Sequence, residues 1–227
     1  MRGIILDGVS ASGKSSILNL VQQRIVKEYP SSTKLFISEH YTQRMLEHKL
    51  EAKALSVDHV EQHIDKIISN LNQYQEMLDK SKFANNPSGA EAFVTIERFL
   101  LTFLATQGAD LSDYSKHNVQ KQLEKLGDLN ISQYLLILSE SSLKEHIART
   151  LTHRNDKWAE YVNSKGGVDG LVKYRLDDRS FGWQESFVSL ADTFKDVITT
   201  KTIEINDWNY EKIAGKLFED AYQWRDV

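Results

Sequence analysis

Gly8-Val9-Ser10-Ala11-Ser12-Gly13-Lys14-Ser15 follows directly on the apolar run Ile4-Ile5-Leu6. An apolar segment of strand length, a G-x-x-x-x-G-K-S loop and then a helical pattern is the arrangement of a phosphate-binding loop. Glycine at positions 8 and 13 admits backbone angles that a Cβ resists, so the chain can curl and aim successive N–H groups into one concave anion nest. The residues that would line that nest are Gly8, Ser10, Ala11, Ser12, Gly13, Lys14, Ser15 and Ser16. Lys14 would bring a compact positive charge to the β- and γ-phosphates, and Ser15 a hydroxyl to Mg²⁺. The helix that begins here adds the positive end of its dipole.

Outward from the loop, apolar runs of strand length recur with helical patterns between them. They are Gly3–Leu6, Lys34–Ser38, Ala92–Ile96, Tyr134–Leu138 and Thr202–Ile205. Their near-continuous apolarity suits strands covered on both faces. The spacing therefore predicts an α/β fold: three α/β/α layers of the P-loop NTPase type, with a five-stranded parallel sheet and an additional helical region. Ile17, Leu18, Val21, Ile25 and Val26 form the apolar stripe of the first helix, which Pro30 ends. Across 41–82 a long amphipathic helix is expected, with Val60, Ile64, Ile67, Leu71, Tyr74 and Leu78 on one side and Asp58 with Glu61 as its N-terminal cap. That stripe could pack on its own domain or on a second copy, giving a homodimer.

Phe99, Leu100, Leu101, Phe103 and Leu104 open a buried helix, Asp113 to Leu126 reads as an amphipathic one, and Leu143, Ile147 and Leu151 mark another after the fourth strand. The stretch 155–178 is polar and carries Gly166, Gly167 and Gly170, so it reads as a mobile, lid-like excursion from about 149 rather than a core element. The last helix is expected from about Asp207, with Ile213, Leu217, Ala221 and Trp224 on one face. The whole chain, 1–227, reads as one domain.

With 28 basic and 32 acidic residues the formal charge is −4, which argues against a broad face for a nucleic-acid polymer. No apolar run is long enough to span a bilayer, so no membrane partner is expected. The seven histidines are scattered and there is no cysteine, which argues against zinc and against a disulfide framework. A cytoplasmic location is the expectation.

A phosphate loop alone does not separate a kinase from a GTPase or a motor. A GTPase would carry Asn-Lys-x-Asp after a strand, whereas the fourth run leads into Ser139-Glu140-Ser141-Ser142. Small-molecule phosphoryl transfer remains, with ATP and Mg²⁺ as cofactors and a small-molecule phosphate acceptor as partner. It needs a group to deprotonate the acceptor, a metal ligand and positive charge on the migrating phosphoryl. Ligands gather at the carboxyl ends of parallel strands, so the residues just after each run are the candidates. Glu39 is the candidate general base. Glu97, with Ser15, is the candidate metal ligand, and Arg98 a phosphate-gripping fork. Arg149 and Arg154, at the end of a helix leading into the lid-like segment, would close over the phosphates.

These pieces together resemble the thymidylate kinase and deoxynucleoside kinase group of P-loop kinases. The resemblance rests on the loop, on Glu39 after the second strand, on the Glu97-Arg98 pair after the third and on the arginine-bearing helix after the fourth. It also rests on Trp183 to Ala191, which looks like the post-lid helix of thymidylate kinases. It implies a nucleoside or nucleotide acceptor, a Glu-Arg pair serving metal and phosphate positioning, and lid arginines on the donor phosphates. This chain departs from the group's usual followers, with His40 after Glu39 and Phe99 after Arg98. The loop is also similar to that of antibiotic phosphotransferases related to chloramphenicol phosphotransferase. A nucleotide-dependent switch with weak hydrolysis is the reading from outside the kinases.

Overall fold

Five strands, β1 (Arg2–Gly8), β2 (Thr33–Ile37), β3 (Ala92–Glu97), β4 (Ile131–Leu138) and β5 (Thr200–Ile205), form one parallel sheet in the order β2-β3-β1-β4-β5. The computed structural model describes residues 1–42, 44–46, 56–81, 91–106, 113–127, 129–176 and 184–222. All five expected strands are present. The chain leaves β1 for the far edge at β2, returns to β3 and then crosses to β4 on the other side, so the crevice at the carboxyl end of β1 is the switch point of the topology. β3 is buried along its whole length, whereas β2 is an edge strand with Phe36 38% exposed.

Helices α1 (Lys14–Glu28), α2 (Val57–Asp79), α3 (Leu100–Thr106), α4 (Asp113–Gly127), α5 (Glu140–His153), α6 (Asp156–Ser164), α7 (Gly167–Leu176), α8 (Gln184–Thr193) and α9 (Tyr210–Tyr222) cover the sheet. α1 and α9 pack together on one face, where Gln22 donates to Thr95 Oγ1 at 2.8 Å. α3 and α8 lie on the other face, and α2 packs behind against α3 and α4. The result is a three-layer α/β/α sandwich. Gln184 fixes α8 to the end of β4: its Oε1 accepts from Leu138 N at 2.7 Å and its Nε2 donates to Leu138 O at 2.8 Å.

Three expectations are corrected. The cap of α2 is Ser56, whose Oγ accepts from His59 N while His59 Nδ1 accepts from Ser56 N, and not Asp58 with Glu61. Glu61 is turned inward instead and accepts from Asn118 Nδ2 of α4 at 3.1 Å. In α1, Val26 leaves the apolar stripe and is 50% exposed. The stretch from 155 to 176 is not an excursion but two helices, α6 and α7, with Val162, Leu171 and Val172 in the core. Gly166 and Gly167 turn the corner between them with φ of 87° and 78°, and a Cβ on Gly170 would lie 2.0 Å from the Lys165 carbonyl oxygen, so these glycines permit a tight helix junction.

In α2 the first turns of the predicted stripe, Val60, Ile64, Ile67 and Leu71, are buried within the chain, while Tyr74 is exposed. The loop at 85–89, Trp183 and Trp224 lie outside the described residues.

One buried carboxylate ties the layers together. Asp7, fully buried in β1, accepts from Phe99 N at 3.1 Å, Thr102 N at 3.3 Å and Thr102 Oγ1 at 2.5 Å through Oδ1, and from Gln133 Nε2 at 2.8 Å through Oδ2. It caps the amino end of α3 from a distant strand and so fixes the corner through which β3 delivers Glu97 and Arg98. Burial pushes its carboxyl above the usual range against those hydrogen bonds. Gln133 Oε1 is buried without a partner, so an amide at position 7 can be met by a flip of Gln133. Asp7→Ala is therefore expected to cost about 3 kcal/mol, because several buried donors lose their acceptor, and Asp7→Asn only about 1 kcal/mol. Urea unfolding of both variants checks this order, and an Asn variant as damaged as the Ala variant would contradict it.

Candidate functional site

The phosphate loop sits between β1 and α1 with Gly8 at φ 147°, Ala11 at φ 65° and Gly13 at φ 85°. A Cβ on Gly13 would lie 2.5 Å from Tyr210 Oη, so any larger residue there would have to displace that ring as well as hold a positive φ. Lys14 is 3% exposed, and its ammonium folds back over the loop. It donates to Gly8 O at 2.9 Å, Val9 O at 2.6 Å and Ser12 Oγ at 3.1 Å. Burial and the nearby Arg98 guanidinium push its pKa well down, while Glu97, Glu39 and Asp7 oppose them less strongly. An anion in the curl would relieve that cost.

Ser15, at the start of α1, donates its hydroxyl to Glu97 Oε1 at 2.6 Å. Glu97 is the last residue of β3 and is buried. Thr42 Oγ1 holds the Glu97 carbonyl at 2.7 Å, which pins the 38–42 turn to the same strand end. A neutral hydroxyl beside one carboxylate fits Mg²⁺, which keeps several waters and takes few protein ligands.

Arg98 stands in the left-handed region at φ 55°, a conformation that costs a non-glycine residue about 1–2 kcal/mol. Its N–H bonds Leu6 O at 3.1 Å, and its guanidinium reaches both the loop and Glu39. Arg98 Nη2 donates to Ser10 Oγ at 2.9 Å and Nε lies 2.9 Å from Glu39 Oε2. The other carboxylate oxygen of Glu39 accepts from Arg44 Nη2 at 2.9 Å. Glu39 is thus clamped between two guanidiniums across the cavity from the loop. Burial alone would raise its pKa, but Arg98, Arg44 and Lys14 together hold its carboxyl below the usual range.

The far wall comes from α5 and the turn after β5. Arg149 pairs with Glu145 at 2.9 Å and lies 3.8 Å over the Trp208 ring. Arg154, the C-cap of α5, lies 4.6 Å over Trp158, whose Nε1 donates to Thr150 Oγ1 at 2.9 Å. Ser10 to Ser16, Glu39, Glu97, Arg98, Arg149 and Arg154 all line one cavity of about 560 Å³. Gly8 lies under the loop with its carbonyl bound to Lys14. His40 is exposed outside the cavity, and Arg175 is turned toward the Tyr161 hydroxyl at 3.1 Å.

The sequence reading missed Arg44, His146, Thr150, Trp158, Trp208 and Tyr210 among the residues that line this cavity. Trp208 and Tyr210 carried a usable signal, since they follow β5 as Glu39 follows β2. His146 carried none, because it stands on the apolar side of α5 beside Leu143 and Ile147.

A parallel sheet with a Gly8-to-Ser15 phosphate loop at its switch point defines a P-loop nucleoside-triphosphatase fold. No family model matches this chain, and no curated protein matches it. Among solved structures, the crystal structure of thymidylate kinase from Ehrlichia chaffeensis is similar at 13% identity, covering 95% of this chain and 97% of that chain, with a TM-score of 0.45. The fold assignment stands on the strand order and the loop geometry and not on that likeness.

A carboxyl held below its ordinary value stays ionised until the pH falls through that lower value, and its ion pairs are then lost. Carboxyl ¹³C NMR of Glu39 should therefore give a midpoint below the ordinary value of about 4.3, and Arg98→Met should move it upward. An unmoved midpoint would show that Arg98 does not set the charge on Glu39.

Proposed function

We propose that this protein is an ATP- and Mg²⁺-dependent phosphotransferase that moves the γ-phosphoryl group to a nucleoside, a nucleotide or a similar small molecule. The observation that carries the reading is the shared cavity: a buried Lys14 and a Ser15–Glu97 pair on one side, with Glu39 clamped between Arg98 and Arg44 on the other. Gly8 to Ser16 would hold the triphosphate, and Ser15 with Glu97 the Mg²⁺. That ion, when bound, supplies charge neutralisation between the β- and γ-phosphates.

In the proposed step the acceptor hydroxyl oxygen bonds to the γ-phosphorus as the bond to the β,γ-bridging oxygen breaks. Glu39 takes the hydroxyl proton, and ADP carries away the bridging oxygen. The clamp keeps Glu39 anionic and aims it, at the cost of making it a weaker base. Lys14 and Arg98 stand where charge develops on the transferred group. Arg149 and Arg154 supply further positive charge from α5. That reading is supported by Arg149 and Arg154 lining the cavity, each against a tryptophan ring.

The cavity wall sets Lys14, Arg44, Arg98, Arg149 and Arg154 against Glu39 and Glu97. That surplus of positive charge answers the donor triphosphate, and it supports a phosphate-bearing acceptor that also offers the hydroxyl whose proton Glu39 takes. A panel of nucleosides, nucleoside monophosphates and chloramphenicol-type antibiotics with γ-labelled ATP separates these acceptors. Transfer to an antibiotic alone would favour the metabolite-kinase reading, and MgATP binding with no transfer to any acceptor would favour a switch.

Lys14→Ala should slow transfer by about 10²–10³-fold, since removing a buried charge at the β,γ-bridge forfeits roughly 3–4 kcal/mol of transition-state stabilisation. Glu39→Gln should lower kcat by about 10²-fold while MgATP affinity stays nearly intact. Steady-state kinetics and calorimetric titration measure the two quantities. A Glu39→Gln enzyme that loses MgATP binding instead would place Glu39 at the metal.

A further inference from the structure

His146 is 2% exposed, and nothing in the proposed transfer step uses it. Its Nδ1 lies 3.1 Å from Ala11 O and 3.2 Å from Tyr210 Oη, and its ring stacks on Trp208 at 3.7 Å with the planes 22° apart. A carbonyl oxygen only accepts, so Nδ1 carries a proton and donates it to Ala11 O. Tyr210 Oη can then only accept from that same proton, which leaves the phenol proton for another acceptor. Burial lowers the pKa of His146 and keeps the ring neutral, and it pushes the Tyr210 hydroxyl up to about 12, so both remain donors at neutral pH.

Ala11 is the loop residue that needs this help. It holds φ 65° without being glycine, a conformation that costs about 1–2 kcal/mol. A free peptide at that position would relax, and its carbonyl oxygen would be able to turn into the curl where an anion must sit. A donor fixed on α5 keeps the negative end of that peptide outside the nest.

We propose that His146 is a positioning residue that pre-shapes the phosphate loop for its anion by holding the Ala11 carbonyl outward through Nδ1–H. The inference rests on the reading that this loop binds a nucleoside triphosphate. α5 thereby joins the loop to the opposite wall, since Arg149, one turn further along, lies on the same indole.

Two substitutions separate the donor from the ring. Asn at 146 places an amide N–H near the position of Nδ1 but gives up the stack; Phe keeps the stack but gives up the donor. MgATP affinity, measured by calorimetric titration, should fall about tenfold in His146→Phe and stay within about threefold of the original in His146→Asn, the scale of one lost hydrogen bond. KM for MgATP should rise in step, with kcat changed much less. Melting temperatures without nucleotide separate this effect from general unfolding. In the unsubstituted protein, ¹⁵N NMR should find the neutral Nδ1–H tautomer of His146.

His146→Phe binding as tightly as the original protein would overturn the inference, as would His146→Asn binding as weakly as His146→Phe. Should both variants fail to fold, an Nε2–H tautomer in the original protein would overturn it and the Nδ1–H tautomer would support it. Failure of the unsubstituted protein to bind MgATP is a different result, which overturns the loop reading itself.

Discussion

A lysine ammonium buried at the carboxyl end of the central strand is the constraint around which this structure is built. Lys14 is held by two carbonyls and one hydroxyl of its own loop, which are partial compensation for lost water. Its surroundings answer that demand at longer range. Asp7 lies behind the loop, Glu97 beside it and Glu39 across the cavity, and all three favour the charged lysine. Arg98 works against them, because it also needs an anion. The site therefore holds more positive charge than its own carboxylates neutralise, which is the electrostatic condition of a phosphate receptor.

The fold delivers this charge by rigid means. Asp7 stands one residue before the loop and also caps α3, so one side chain fixes both the start of the loop and the corner after β3. Thr42 ties the turn that carries Glu39 to the Glu97 carbonyl. His146 and Tyr210 reach the loop from α5 and α9. Lys14, Ser15, Glu97 and Arg98 thus sit at a strand end or a helix start whose backbone is held by another layer.

Much of this was legible in the sequence because it is local. The loop is contiguous, its glycines have a steric reason, and the apolar runs around it have strand length. Glu39, Glu97 and Arg98 were found by one topological rule, that parallel sheets work at their carboxyl ends. Trp208 and Tyr210 fall under the same rule at the end of β5 and were passed over; His146 was not legible, since its contact is with a loop 135 residues away in the chain. The cap of α2 failed for a subtler reason: Ser56 and Asp58 are both good capping residues, and tertiary packing drew Glu61 inward to Asn118. The glycines between 166 and 170 were read as mobility, although their lack of a Cβ is what lets α6 and α7 close on each other.

The account turns on whether the loop is an anion site that is electrostatically incomplete by itself. ¹³C NMR of ε-labelled lysine follows the titration of Lys14 directly, before and after addition of a non-hydrolysable ATP analogue with Mg²⁺. The account predicts a Lys14 pKa below the ordinary lysine value in the free protein and a rise when the analogue binds. An ordinary value that does not move on addition of the analogue would contradict it.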